Sequence, residues 1–227
     1  INRVFGTFGA AYDINDNLTL AYKYGIDNTS QFSEHAQNKG GVDGNATGIY
    51  YTSDEIRTIQ NHSFTLSFND QLDDDWSLTA LVGADANRET YSGRSTTNEN
   101  QLVFGVLKPF NFVSQSSSSY DSEQNIYGAF ADLSFNYNDY LYLNVTGRQD
   151  WSSTMEADNN SLFYKGASLS FIASDVIPAL SGDIVNYAKL RVGYGESAGF
   201  ANPYRTRSLL SLNAKAFDPG SGVIQSN

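Results

Sequence analysis

The sequence contains no cysteine, which excludes a disulfide scaffold and thiol chemistry. It also contains only two histidines. Basic residues are outnumbered by acidic ones, 14 to 25, and the net charge is -11. A nucleic-acid partner would require a basic face, so no nucleic-acid partner is predicted. No apolar run approaches the roughly 20 residues of a membrane helix. A mean hydropathy of -0.39 still allows a membrane protein, because a barrel strand hides its apolar face by alternation.

Residues that could carry catalysis or hold a metal ion are also scarce. His35 lies beside Glu34 in a polar stretch, where a lone histidine is usually only polar surface. His62 lies on the apolar parity near a predicted strand end, which favours an interfacial aromatic role over catalysis. The run Asp73–Asp75 offers carboxylates that suit Ca²⁺, but its spacing matches no calcium loop and predicts a solvated turn. We therefore predict that the protein is not an enzyme and has no cofactor.

What the chain has in abundance is alternation of apolar and polar residues. The clearest run is Asp139–Ser153, in which Leu141, Leu143 and Val145 share one parity and polar residues occupy the other. A period of two is typical of a strand with one apolar and one polar face. Similar runs of about 9–12 residues recur along the chain, and no stretch has a helical period.

Connections of alternating length separate these runs and predict about eight strands in four hairpins, with a ninth near Arg205–Leu212. The serine run Ser116–Ser119 falls in a long connection and predicts a flexible loop. The predicted short connections are 13–17, 69–75, 138–139 and 174–183, and the long ones are 27–55, 86–123, 151–162 and 196–204.

Strand length and aromatic placement favour a transmembrane barrel over a soluble β-sandwich. Runs of 9–12 residues match the length of a tilted membrane strand, whereas soluble strands average about 5–6 residues. Tyrosine, tryptophan and phenylalanine concentrate near the run ends, as the aromatic girdles of a barrel require. We predict an all-β, antiparallel transmembrane β-barrel segment, with a soluble β-sandwich binding module as the alternative.

Two motifs resemble a known family. Tyr140–Ser153, YLYLNVTGRQDWSS, is similar to a barrel segment of the SusC/RagA family of TonB-dependent outer-membrane transporters. Ala188–Gly195, AKLRVGYG, resembles the next motif of that family, in the same order and spacing. The resemblance is specific over residues 126–199, while the first half agrees only in its hairpin rhythm.

The resemblance implies that residues 1–227 lie within one outer-membrane β-barrel domain, as about 8–9 strands of a barrel of about 22. The family's plug domain, TonB-contacting segment and C-terminal strands are not recognisable in this sequence. The implied function is TonB-dependent uptake of oligosaccharides or peptides across the bacterial outer membrane. The implied partners are outer-membrane lipid, TonB and a SusD-like surface lipoprotein. A non-transporting scaffold of an outer-membrane assembly or secretion complex is the alternative role for such a barrel.

Two sets of residues are candidates for the functional site. The first set has polar parity and is predicted to face the lumen: Lys23, Asn144, Arg148, Lys189 and Arg191. The alternative role of its charged residues is to form ion pairs with acidic residues on neighbouring strands. The second set consists of aromatic residues in the predicted extracellular loops, since aromatic rings stack on sugars and contact peptides: Tyr50, Tyr51, Tyr91, Trp151 and Phe163.

Overall fold

The computed structural model places eight strands in one antiparallel sheet, in the order in which they occur along the chain. The strands are β1 (Asn2–Asn15), β2 (Leu18–Gln37), β3 (Ile49–Gln71), β4 (Trp76–Gln101), β5 (Phe112–Tyr137), β6 (Leu141–Ser152), β7 (Ser161–Ile172) and β8 (Lys189–Gly195). The structure describes residues 1–42, 45–177, 187–206, 208, 210–212 and 224–226.

Short elements occupy some of the connections. Helix α1 (Ala173–Val176) follows β7, and two 3-10 turns, Pro109–Asn111 and Ala157–Asn159, precede β5 and β7. No helix among the described residues is long and apolar enough to cross a membrane.

The predicted alternation of short and long connections is confirmed from β1 to β7, but the predicted loop lengths are wrong. The connection from β7 to β8, predicted to be short, spans residues 173–188 and is longer than the three long connections before it. Strands β4 and β5 are each 26 residues long and include most of the predicted loop 86–123, leaving a connection of residues 102–111. The serine run Ser116–Ser119 is therefore strand and not flexible loop. Strands β2 and β3 likewise shorten the predicted loop 27–55 to residues 38–48, because polar residues in these segments continue the hydrogen-bonded pairing.

The predicted ninth strand does not extend the sheet. Its last residues form β9 (Leu210–Leu212), which pairs with β10 (Ile224–Ser226) in a separate two-stranded sheet. Of the predicted connection 174–183, residues 178–183 lie outside the described residues. All eight long strands belong to one sheet, whereas a β-sandwich would divide them between two.

By contacts the chain divides into two compact units. The first unit comprises Ile1–Ala10, Tyr22–Ser63 and Ala86–Glu123, and the second comprises Ala11–Ala21, Phe64–Asp85 and Gln124–Asn227.

In the second unit the strand register separates apolar from polar residues. One row across β5–β8 consists of Phe135, Leu143, Leu169 and Val192, which are direct cross-strand partners. The neighbouring row, one residue along each strand, consists of Ser134, Asn144, Ser168 and Gly193. Because successive side chains point to opposite faces, the sheet presents an apolar face and a polar face, as the alternation predicted.

The exposure of this sheet is unusual for a protein in water. Among the described residues, only Tyr50 and Phe112 are buried hydrophobic side chains. Strands β1 and β8 form the edges of the sheet and are exposed along their whole length.

The turn between β5 and β6 depends on two residues with left-handed backbone conformations. Asn138 has φ 47° and Asp139 has φ 58°. Such angles are costly for β-branched residues and free for glycine. We expect Asn138→Val to destabilise the full-length protein by about 1–2 kcal/mol in detergent unfolding, and Asn138→Gly to be nearly neutral. Equal stability of the two variants would contradict this account of the turn.

Candidate functional site

The densest group of charged side chains on the second unit surrounds Arg148 on β6. Its Nε donates to Asp150 Oδ1 at 2.8 Å, and its Nη1 donates to Asp85 Oδ2 at 2.7 Å. The guanidinium carbon lies 5.5 Å from the centre of the Phe130 ring. The Tyr164 hydroxyl donates to the second oxygen of Asp150. We call these five residues the Arg148 cluster.

Strand pairing assembles the Arg148 cluster. Arg148 lies directly opposite Phe130 on β5 and Tyr164 on β7. The residue opposite Asp150 is Gly128, and a Cβ there would lie 2.4 Å from Arg148 Nη2 and 2.4 Å from Asp150 Oδ1. A larger side chain at position 128 would therefore have to shift the Arg148 and Asp150 side chains.

The Arg148 cluster satisfies its charges internally. The Arg148 side chain is 30% exposed and Asp150 is 11% exposed, so two carboxylates share one partly desolvated guanidinium. Asn144, another predicted lumen-facing residue, donates to Asp132 at 2.6 Å and to Ser134 at 2.8 Å. The geometry therefore favours pairing with neighbouring acids, the alternative role considered for Arg148, over direct ligand binding.

The remaining predicted lumen-facing residues are more accessible. Lys189 Nζ lies 5.7 Å from the centre of the Tyr142 ring. Arg191 is exposed and pairs with Ser170, which pairs with Tyr142 on β6. Tyr142 and Asn144 are two residues apart and therefore point to the same face. Lys189 and Arg191, also two residues apart, lie on that face as well. Lys23 is exposed on β2, in the first unit. These three cations can meet a ligand or a neighbouring protein surface.

In the first unit, tyrosines from three neighbouring strands line a recess of about 150 Å³. They are Tyr51 on β3, Tyr91 on β4 and Tyr120 on β5, and the recess also includes Glu55. The Tyr91 and Tyr120 ring centres are 6.0 Å apart, with their planes at 53°. Glu55 and Tyr91 are both lining residues of the recess. We call these four residues the tyrosine recess.

Two neighbours of the tyrosine recess support its shape. Gly93 gives the Tyr91 ring room to lie along β4, since a Cβ at Gly93 would lie 3.0 Å from the Tyr91 hydroxyl oxygen. Arg94 Nη1 donates to Asp121 Oδ1 at 3.0 Å, so its charge is already paired. No ion pair among the described residues involves Glu55.

The five aromatic candidates belong to strands, and the prediction that they lie in loops is wrong. Only Tyr51 and Tyr91 come together in one recess. Tyr50 is 6% exposed, with its ring centre 6.1 Å from that of Phe112. Trp151 lies on β6 and Phe163 on β7, and each has the parity opposite to the Arg148 cluster.

Sequence reasoning missed Glu55 and Tyr120, and nothing in their local sequence distinguishes them. Both contribute to the tyrosine recess only through the pairing of β3, β4 and β5, which single-residue inspection does not reveal.

Buried amides close the connection between β4 and β5, also in the first unit. The Gln101 side chain accepts from the Lys39 backbone N–H at 2.9 Å and donates to Asn38 at 2.9 Å. Asn111 is 4% exposed and donates to the carbonyls of Val103 and Val106 at 2.7 and 2.8 Å. These bonds fix the connection next to an open pocket of about 580 Å³.

The chain is similar to several known proteins. The family model described as "TonB dependent receptor-like, beta-barrel" matches residues 2–224. The TonB-dependent receptor P26 of Formosa agariphila is 29% identical over 170 residues, which is 68% of this chain and 17% of that protein.

Solved structures of the RagAB system have the same fold. The RagAB peptide transporter superposes with a TM-score of 0.79 at 14% identity, over 99% of this chain and 26% of that one. The RagAB peptide importer in its "closed-closed" state gives a TM-score of 0.77 at 15% identity, with the same coverage. The chain therefore spans about a quarter of these structures' length.

Proposed function

Because the chain belongs to the TonB-dependent receptor-like β-barrel family, as its motifs indicated, we propose that it forms part of the wall of a bacterial outer-membrane barrel that imports peptides or oligosaccharides. Residues 1–227 are one continuous part of that barrel domain. The observation that carries the proposal is a single open sheet with unlike faces that superposes over 99% of its length on the RagAB peptide transporter.

The exposed side chains support a location in lipid. Leu143, Leu169 and Val192 lie in one row and are 40%, 47% and 67% exposed, a pattern that is unfavourable in water and favourable against acyl chains. The two open edges support a larger barrel, since an edge strand in lipid leaves each backbone polar group unsatisfied. The polar face, with Lys189 and Arg191, is the lumen side in this proposal.

The proposed partners follow from the family. TonB supplies energy, and a SusD-like surface lipoprotein covers the extracellular side, as the resemblance to the SusC/RagA family implies. The 38–48 and 102–111 connections are extracellular, and the short turns are periplasmic, because barrel turns are short on that side.

A labelling experiment tests this orientation. Residues 1–227 lack cysteine, so the signal of each introduced cysteine is compared with that of the full-length protein without it. Asn45→Cys should react with an impermeant maleimide on intact cells, whereas Asp74→Cys should react only after the outer membrane is opened. The reverse pattern would overturn the orientation.

An uptake experiment tests the transport function. Cells that express the full-length protein should accumulate a labelled peptide or oligosaccharide mixture, and a protonophore or loss of TonB should reduce accumulation at least about tenfold. Labelling at the membrane without energy-dependent uptake of either mixture would contradict transport and favour the scaffold role.

A further inference from the structure

We propose that the tyrosine recess is a subsite for a cationic side chain, a lysine ammonium or an arginine guanidinium, of a bound peptide. The inference rests on the proposed import function and narrows its substrate class, since an oligosaccharide offers no such cation. The recess has the size of one side-chain head group, at about 150 Å³, and not of a whole peptide.

The chemistry of the lining favours a cation over a neutral or anionic group. Three tyrosines line the recess, and aromatic rings attract ammonium and guanidinium ions. Glu55, an acidic residue, lines the same recess, and no salt bridge among the described residues involves it. A charge-assisted hydrogen bond from the ligand to Glu55 would supply the missing countercharge.

Arg94 also lines this recess, but its charge is already paired. Its guanidinium donates to Asp121 at 3.0 Å and to the Gly93 carbonyl at 2.9 Å. Glu55, Arg94 and Asp121 together carry one more negative than positive charge. An anionic ligand would find no uncompensated cation among these residues.

The position of the tyrosine recess on the strands makes the subsite specific. Tyr51, Tyr91 and Tyr120 come from three adjacent strands, so their Cα positions are fixed by the sheet and not by a loop. Ser95 and Ser118 join β4 to β5 beside the rings through a 2.8 Å hydroxyl contact. Little ordering of the protein is needed when the ligand binds, which favours selectivity among head groups.

Peptide pairs that differ in one side chain test the subsite directly. Purified full-length protein in detergent is titrated by calorimetry with short peptides that contain lysine or its uncharged isostere norleucine at one position. We expect the lysine peptide to bind about tenfold more tightly. Glu55→Gln and Tyr91→Leu should each reduce this preference to less than about threefold, while the norleucine affinity stays unchanged.

Two further variants separate a local effect from general changes in charge or folding. Glu99→Gln removes the same charge from an exposed position on β4 and should leave the preference intact. Gly93→Ala keeps every charge but crowds the Tyr91 hydroxyl and should lower the preference. Each variant is first checked for heat-modifiable migration, so that misfolded protein is not scored.

The outcomes distinguish the subsite from the transport function. Equal binding of the two peptides, or a preference that Glu55→Gln does not change, overturns the subsite, even if energised cells still import peptides. A preference lost equally in Glu99→Gln overturns it too, because general charge would then explain the selectivity. Selective binding without energy-dependent uptake supports the subsite and contradicts the transport function.

Discussion

Leu143→Arg should destabilise the full-length protein by about 2–4 kcal/mol, because a charge on the lipid face is most costly near the bilayer midplane. Leu143 is 40% exposed and lies in the apolar row between Phe135 and Leu169. The free energy of unfolding is measured by urea titration of protein folded into lipid vesicles.

Asn144→Arg is the matched control, one residue along the same strand. Its side chain lies on the polar face, where a new guanidinium would approach Asp132 and remain hydrated. We expect a cost of less than about 1 kcal/mol. Equal costs at positions 143 and 144 would mean that the two faces of β6 are assigned incorrectly.

Arg148→Met should destabilise the protein by about 2–3 kcal/mol, since it leaves Asp85 and Asp150 close together without their shared cation. The expected loss in the free energy of unfolding is smaller than for a fully buried ion pair, because the Arg148 and Asp85 side chains are 30% and 32% exposed. Arg191→Met, on the same face but exposed, should change stability by less than about 0.5 kcal/mol.

A double variant identifies the electrostatic origin of this loss. Asp85→Asn in the Arg148→Met background removes one of the two carboxylates and should recover part of the stability. A loss of the same size in Arg191→Met, or no recovery in the double variant, would show that the Arg148 cluster does not act as a charge network.

The two faces of β5–β8 were predictable from the sequence because they follow from a period of two. Leu143 and Asn144 differ in polarity, and the strand geometry places them on opposite faces. The full strand lengths were not predictable, because segments such as Ser114–Ser119 have no apolar parity. Pairing with the neighbouring strand, and not burial of an apolar face, keeps such segments extended.

The candidate sites were predictable only in part, because their members meet across strands. Tyr51 and Tyr91 could be selected from the sequence because they are aromatic. Glu55 and Tyr120 lie beside them only because their strands pair. Arg148 and Asp85 are likewise 63 positions apart in the chain and in direct contact. Single-sequence patterns give the face of a residue and not its cross-strand neighbours.

The unbroken course of β5 over 26 residues constrains how this segment can change length in evolution. A single inserted residue reverses the face of the strand residues on one side of it unless a bulge absorbs it, whereas an inserted pair keeps every residue on its face. An insertion within Ser116–Ser119 follows the same rule, because the strand residues beyond the serine run would still change face. Natural variants should therefore gain or lose residues in pairs along β5.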